Sequence, residues 1–151
     1  VTEVIAPETT ARKALITALE TEFAADQFPV KDDKLHPSLG DSRTMLGVYP
    51  ERSTANARDK FVNEYEIVVQ FFGKYTLEVD REQTVSPTVI ETQAERFRQS
   101  IRSGADPRTG AVWYFDLLRI VYPDDPTGNK TRFEATVVAR GNNSALIETS
   151  G

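Results

Sequence analysis

The chain has 151 residues, a net charge of −5 and no cysteine, with 39% hydrophobic and 27% charged residues. That length suits one domain with one ordinary core, and the missing cysteines exclude disulfides and thiolate metal sites. The acidic balance argues against a protein whose task is to grip nucleic acid, because phosphate binding needs clustered Lys and Arg. No apolar run approaches the roughly 18 residues that would span a bilayer.

The opening, VTEVIAPETT, has neither a basic nor an apolar signal region, so the expectation is an intracellular protein. Pro7, Thr9 and Thr10 precede a stretch in which Leu15, Ile16, Leu19 and Phe23 share one helical face, which predicts a helix over 9–25. The next segment has two prolines and little periodicity, and reads as an irregular connection with one short strand near Phe28 to Lys31. It holds His36, the single histidine, which as a lone loop residue reads as surface rather than as a catalytic base. LGVYPE follows as a short strand stopped by Pro50.

Residues 51–60, ERSTANARDK, read as a charged loop between strands, with Arg52, Arg58 and Lys60 set against Glu51 and Asp59. A hairpin does not need a loop of this length, so it is a candidate for contacts to a partner. The clearest strand is FVNEYEIVVQFFGKY. Phe61, Tyr65, Ile67, Val69 and Phe71 share one parity, while Val62, Val68 and Phe72 sit on the other with Glu64, Glu66 and Gln70. Apolar side chains on both parities predict a second face covered in part, with a subunit interface as the expected cover. Ser86 and Pro87 then begin a second helix, whose stripe is Ile90, Ala94, Phe97 and Ile101 and whose expected C-terminal stop is Gly104.

ADPRTG reads as a turn. AVWYFDLLRIVY and TRFEATVVAR follow as two well-matched strands, the second alternating Phe133, Ala135, Val137 and Ala139 against Arg132, Glu134, Thr136 and Arg140 as a sheet with one wet face. Trp113 and Tyr114 read as core or interface packing. The tail, GNNSALIETSG, reads as polar and loose. Asn129 and Asn142 fit the glycosylation pattern, which has no bearing without a secretory signal. The element order predicts an α+β fold: a single mixed or antiparallel sheet packed by two main helices.

YPDDPTGNK, between the last two strands, is the one acidic knot that could hold a cation, through Asp124 and Asp125. The calcium-loop spacing fails because Pro126 takes its third position. GNKT fails as a phosphate loop because Asn129 separates Gly128 from Lys130, and a strand rather than a helix follows. Pro, Asp, Gly and Asn each supply what a hairpin tip needs, and that is the expected role.

Four stretches together resemble the tail terminator proteins of long-tailed bacteriophages. They are the opening helix TARKALITALETEF, the arm VYPERSTANARDKFVNEYEIVVQFFGK, the helix SPTVIETQAERFRQSI and the hairpin VWYFDLLRIVYPDDPTGNKTRFEATVVARG. The resemblance is one of layout and covers nearly the whole chain. It implies a structural protein of the virion, assembled in the host cytoplasm and located at the head-proximal end of the tail. Six copies would form a ring that caps the tail tube and ends its growth at the length set by the tape-measure protein. The other face of the ring would meet the head-completion or connector protein. DNA would pass through without specific binding, which the negative charge favours. No catalytic group, cofactor, metal or membrane is implied. Candidate contacts are Arg52, Arg58 and Lys60 in one loop, and Asp124 and Asp125 in the other. Two alternatives stay open: another head–tail joining protein, and a small metal-dependent enzyme using Asp124, Asp125 and Glu134.

Overall fold

The computed structural model describes residues 2–35, 44–55, 62–73, 87–124, 132–142 and 147–150. In chain order the elements are β1 Thr2–Ile5, α1 Pro7–Glu22, β2 Val30–Lys31, β3 Met45–Ala55 and β4 Val62–Phe72, then α2 Pro87–Ser100, β5 Ser103–Ala105, β6 Val112–Val121, β7 Arg132–Asn142 and β8 Ile147–Ser150. Six strands form one sheet in the order β2-β3-β4-β7-β6-β5. Its neighbours are antiparallel except for the parallel pair β2–β3. The fold is therefore α+β, a single mixed sheet packed by two helices.

Alternation along β4 and β7 builds the core. Tyr65, Ile67, Val69 and Phe71 point to one face, opposite Ala139, Val137, Ala135 and Phe133 in the antiparallel register. All eight are buried. The Phe71 and Phe133 rings stack at 5.0 Å with 4° between their planes. Each of the larger apolar side chains contributes about 1.5–3 kcal/mol through burial and the two alanines less, so this pair of strands carries much of the fold. α1 lies against all six strands of the sheet, and α2 lies against β7. The α2 stripe is the expected one, Ile90, Ala94, Phe97 and Ile101, all buried, with the Phe97 ring 5.7 Å from Phe133.

The helices are tied at one corner by Arg96. Pro7 occupies the first turn of α1, so the helix begins two residues before the expected start, and it ends at Glu22 rather than 25. Its last turn has no basic residue of its own. Arg96, from α2, supplies one: Nε meets Glu22 Oε1 at 2.8 Å, and Nη2 meets the Glu22 carbonyl and Asp26 Oδ2, each at 2.6 Å. The guanidinium also lies over the Phe23 ring at 4.5 Å. A cation at the negative end of the α1 dipole is the favourable sign. The Arg96 hydrogen bond holds the Asp26 carboxyl below its ordinary range.

Several expectations give way. Pro50 does not stop β3, which runs to Ala55. The Leu46 N–H donates away from β4, to the Pro29 carbonyl at 2.8 Å, so the nitrogens of matching parity at Val48 and Pro50 also face that side. There β3 has no partner past Gly47 among the described residues, and a missing N–H costs no ladder bond. The register shifts between Pro50 and Arg52, which makes Glu51 the extra residue of a bulge. The first half of the expected loop 51–60 is therefore strand, and 56–60 lies outside the described residues.

Gly104 is not a helix stop but the centre of β5, opposite Trp113. A Cβ there would lie 2.6 Å from the Ala14 carbonyl oxygen, so only glycine lets α1 approach this closely. The tail is not loose over Ile147–Ser150, which pairs as β8 with β1. The backbone hydrogen bonds of these short strands, rather than a hydrophobic pattern, place them. The ADPRTG turn is as expected: Asp106 is buried, its Oδ1 accepts the Arg108 N–H at 3.1 Å, and its Oδ2 accepts the Thr109 hydroxyl at 2.9 Å. Gly110 takes the positive φ of 76° that closes the turn into β6.

Candidate interaction surface

β6 has two unlike faces. Trp113 and Phe115 point inward and are buried, the indole held edge-on against Tyr65 at 5.6 Å with its N–H donated to the Thr10 hydroxyl at 3.1 Å. Outward stand Val112 at 52% exposure, Tyr114 at 64%, Leu118 at 53% and Val121 at 49%. Among the described residues these four are the exposed large hydrophobics, and all lie on one strand. The register shifts between Leu117 and Arg119, so Leu118 is a bulge residue. The bulge keeps Val121 on the outward face with Tyr114, despite the odd spacing between them.

The ground around this row is charged but balanced. Arg140 on β7 is in register with Tyr114 and bridges two strands, its Nη1 to Asp116 at 2.7 Å and its Nε to Glu64 at 3.2 Å. Arg119, in register with Thr136, is exposed and has no ion-pair partner among the described residues. β7 is not the uniformly wet face expected, because Arg132 and Thr136 are buried on it, with the Arg132 guanidinium 4.2 Å above the Phe72 ring. The far end of this face also closes on itself. Phe72 packs in a small cluster with Leu35 and Met45, and Gln70 Oε1 accepts the Leu35 N–H at 2.7 Å. The second apolar parity of β4, Val68 and Phe72, is therefore covered by the chain's own packing rather than left for a subunit interface. The apolar surface left open is on β6.

The predicted contact residues are scattered. Arg52 is on β3, ion-paired across to Glu66 on β4, and that hydrogen bond pushes its guanidinium pKa up. The pair sits where the Glu51 bulge bends the strand, beside a cleft of about 230 Å³ lined by Glu8, Glu51, Arg52, Tyr65 and Glu66 together with Pro50 and Ile67. Burial, with the Glu8 charge added, pushes the Tyr65 hydroxyl up. The cleft brings together three carboxylates, Glu8, Glu51 and Glu66, and one guanidinium, Arg52, which Glu66 already engages. Arg58, Lys60, Asp125 and His36 lie outside the described residues. Asp124 is exposed, three residues past the end of β6, and Glu134 lies on β7 opposite Val121. Among the described residues no three His, Cys, Asp or Glu side chains are grouped to hold a metal. No described helix is long and apolar enough to cross a membrane.

The outward row of β6 is what sequence reasoning missed. Its signal was present in AVWYFDLLRIVY, where Val112, Tyr114, Leu118 and Val121 are apolar beside an equally apolar inward set. No protein-family model matches the chain, and no curated protein matches it.

Proposed function

We propose that this chain is a structural virion protein of the tail-terminator type, six copies of which ring the end of a phage tail tube, end its polymerisation and join the tail to the head connector. The observation that carries the reading is the exposed apolar row on β6, set on a rigid sheet anchored from behind by Trp113 and Phe115. A surface of that kind serves assembly better than chemistry. The layout resemblance supplies the kind of assembly, and the net charge of −5 per copy suits a ring that DNA crosses without adhering.

The test is tube capping. Tail tube protein polymerised with an excess of this chain should give short tubes of bounded length, with ring-shaped density at one end in electron micrographs. Tubes of unchanged length with bare ends at the same excess would refute the assignment.

A further inference from the structure

We propose that the cleft between the first turn of α1 and the β3–β4 ladder is a recognition pocket for one arginine side chain presented by a partner protein. The pocket does not rest on the ring. Its residues Tyr65 and Ile67 point to the face of the sheet opposite the outward row of β6.

A bulge builds the rim. Pro50 is in register with Ile67 and Arg52 with Glu66, so Glu51 is an added residue between two paired positions. Pro7 starts α1, and Glu8 comes from its first turn. Arg52 and Glu66 satisfy one another, whereas neither Glu8 nor Glu51 has an ion-pair partner among the described residues. Two uncompensated carboxylates thus stand over an apolar lining of Pro50 and Ile67.

Tyr65 is the second, independent sign of a ligand. It is 5% exposed and lines the cleft, yet its hydroxyl has no hydrogen-bond partner among the described residues. A buried hydroxyl left unpaired is a cost that a bound donor removes. The Glu8 charge reaches this hydroxyl and pushes its pKa up, but no hydrogen bond joins the two groups. The gap suits a ligand with donors for both.

Size and donor geometry choose the occupant. A volume of about 230 Å³ lies below the roughly 300 Å³ at which small-molecule pockets begin, and suits a single side chain. Among the described residues no three acidic or imidazole groups are gathered to hold a metal ion, so the carboxylates call for a ligand whose donors are spread. A guanidinium offers five N–H donors in a planar fork, is weakly hydrated and brings a methylene stem for Pro50 and Ile67 to cover. An ammonium is a compact, strongly hydrated point charge that spans two separated acceptors less well.

The test titrates ¹⁵N-labelled protein with N-acetyl-arginine amide, followed by the backbone amide shifts of Glu51, Arg52, Tyr65 and Ile67. N-acetyl-lysine amide, N-acetyl-norleucine amide and sodium chloride at matched ionic strength are the controls. The arginine amide should saturate these shifts with a Kd on the order of 1 mM, reasonable for a ligand of about 15 non-hydrogen atoms. The lysine amide should bind several-fold more weakly, and norleucine amide and salt should not saturate. Glu8→Gln with Glu51→Gln should weaken arginine binding about tenfold or more, and Tyr65→Phe about three- to tenfold. Glu8 and Glu51 are exposed and the Tyr65 ring is kept, so these variants should retain the wild-type melting temperature. Shifts that fail to saturate by about 50 mM overturn the pocket, as does a response shared equally by lysine, norleucine or salt. Unchanged affinity in either variant overturns it too. The ligand comparison uses wild-type protein, so it decides the matter even if a variant misfolds, and its failure leaves tube capping untouched.

Discussion

Gly141→Ala tests whether the inward anchor of β6 is as tight as the packing implies. A Cβ on Gly141 would sit 2.6, 2.7 and 2.9 Å from Cζ3, Cε3 and Cη2 of Trp113, which is wholly buried. Ordinary contact begins near 3.4 Å, so the ring must retreat by most of an ångström. It has little room, because it abuts Tyr65 and its N–H is already 3.1 Å from the Thr10 hydroxyl. Overpacking of this kind costs about 1–3 kcal/mol, and loosening a buried hydrogen bond adds about 1 kcal/mol. The sum, about 2–4 kcal/mol, should lower the melting temperature by roughly 5–15 °C at this chain length. Calorimetry or circular dichroism at pH 7 measures it. Trp113→Phe, which withdraws the clashing atoms, should make the added methyl cost less than it does beside tryptophan, a coupling on the order of 1–2 kcal/mol in a double-mutant cycle. Equal cost of Gly141→Ala on either background would refute the steric reasoning, as would a wild-type melting temperature for Gly141→Ala itself.

The other predictions concern the helix contacts and pH. Gly104→Ala meets backbone, the Ala14 carbonyl at 2.6 Å, rather than a ring that can tilt. It should therefore destabilise by about 2–4 kcal/mol, and a denaturant midpoint unchanged from wild type would contradict it. Arg96→Ala should lower stability more than Arg96→Lys, with both below wild type in the same titration, because a lysine cannot reproduce the fork that spans Glu22 and Asp26. Asp32 also sits below its ordinary carboxyl range: burial pushes it up, and hydrogen bonds from Lys13 and Arg12 more than offset that. For Asp26 and Asp32 the folded pKa is the lower one, so the unfolded chain takes up protons first as pH falls. Their stabilisation is full above about pH 4–5 and is lost as pH drops through the folded values. Thermal melts from pH 6 to 2 should show the decline, and Asp32→Asn should flatten part of it. At the alkaline end Tyr49 and Tyr65 are pushed up mainly by burial. Their stabilisation should fade as pH rises from about 10, read as a falling melting temperature.

Elements with a period of their own were legible in the sequence. β4, β7 and α2 each carry enough apolar residues at one spacing to declare which face is buried, and Tyr65, Phe133 and Phe97 lie where the pattern puts them. β1, β2, β5 and β8 span two to four residues, too few for a period, and they exist because a neighbour offers backbone partners. Pro50 misled because proline ends a central strand, whereas here its nitrogen faces an edge. Arg96 was hidden for another reason: its partners Glu22 and Asp26 lie 74 and 70 residues away in the chain, and helix-cap rules look only along one helix. The candidate surface was half visible. AVWYFDLLRIVY is apolar on both parities, and only the position of Trp113 under Tyr65 decides which parity turns outward.

Why a face rather than an edge should be the sticky part of this sheet follows from how β6 is flanked. β5 pairs with it only over Val112 to Tyr114, so beyond Phe115 the outer edge of β6 has no strand partner among the described residues. A flat edge of that length would invite indiscriminate strand addition from any copy. The bulge at Leu118 breaks the even spacing of N–H and C=O groups that such addition needs, and it does so without removing an apolar side chain. At the opposite edge Pro50 and the Glu51 bulge spoil β3 in the same way. With both long edges disrupted, any assembly of the kind proposed above would fall to side chains, where register and charge can choose the partner. Arg119, which follows the bulge directly, puts an exposed cation beside Leu118, and under the assembly reading proposed above it would favour an acidic or aromatic counterpart over a purely hydrophobic surface.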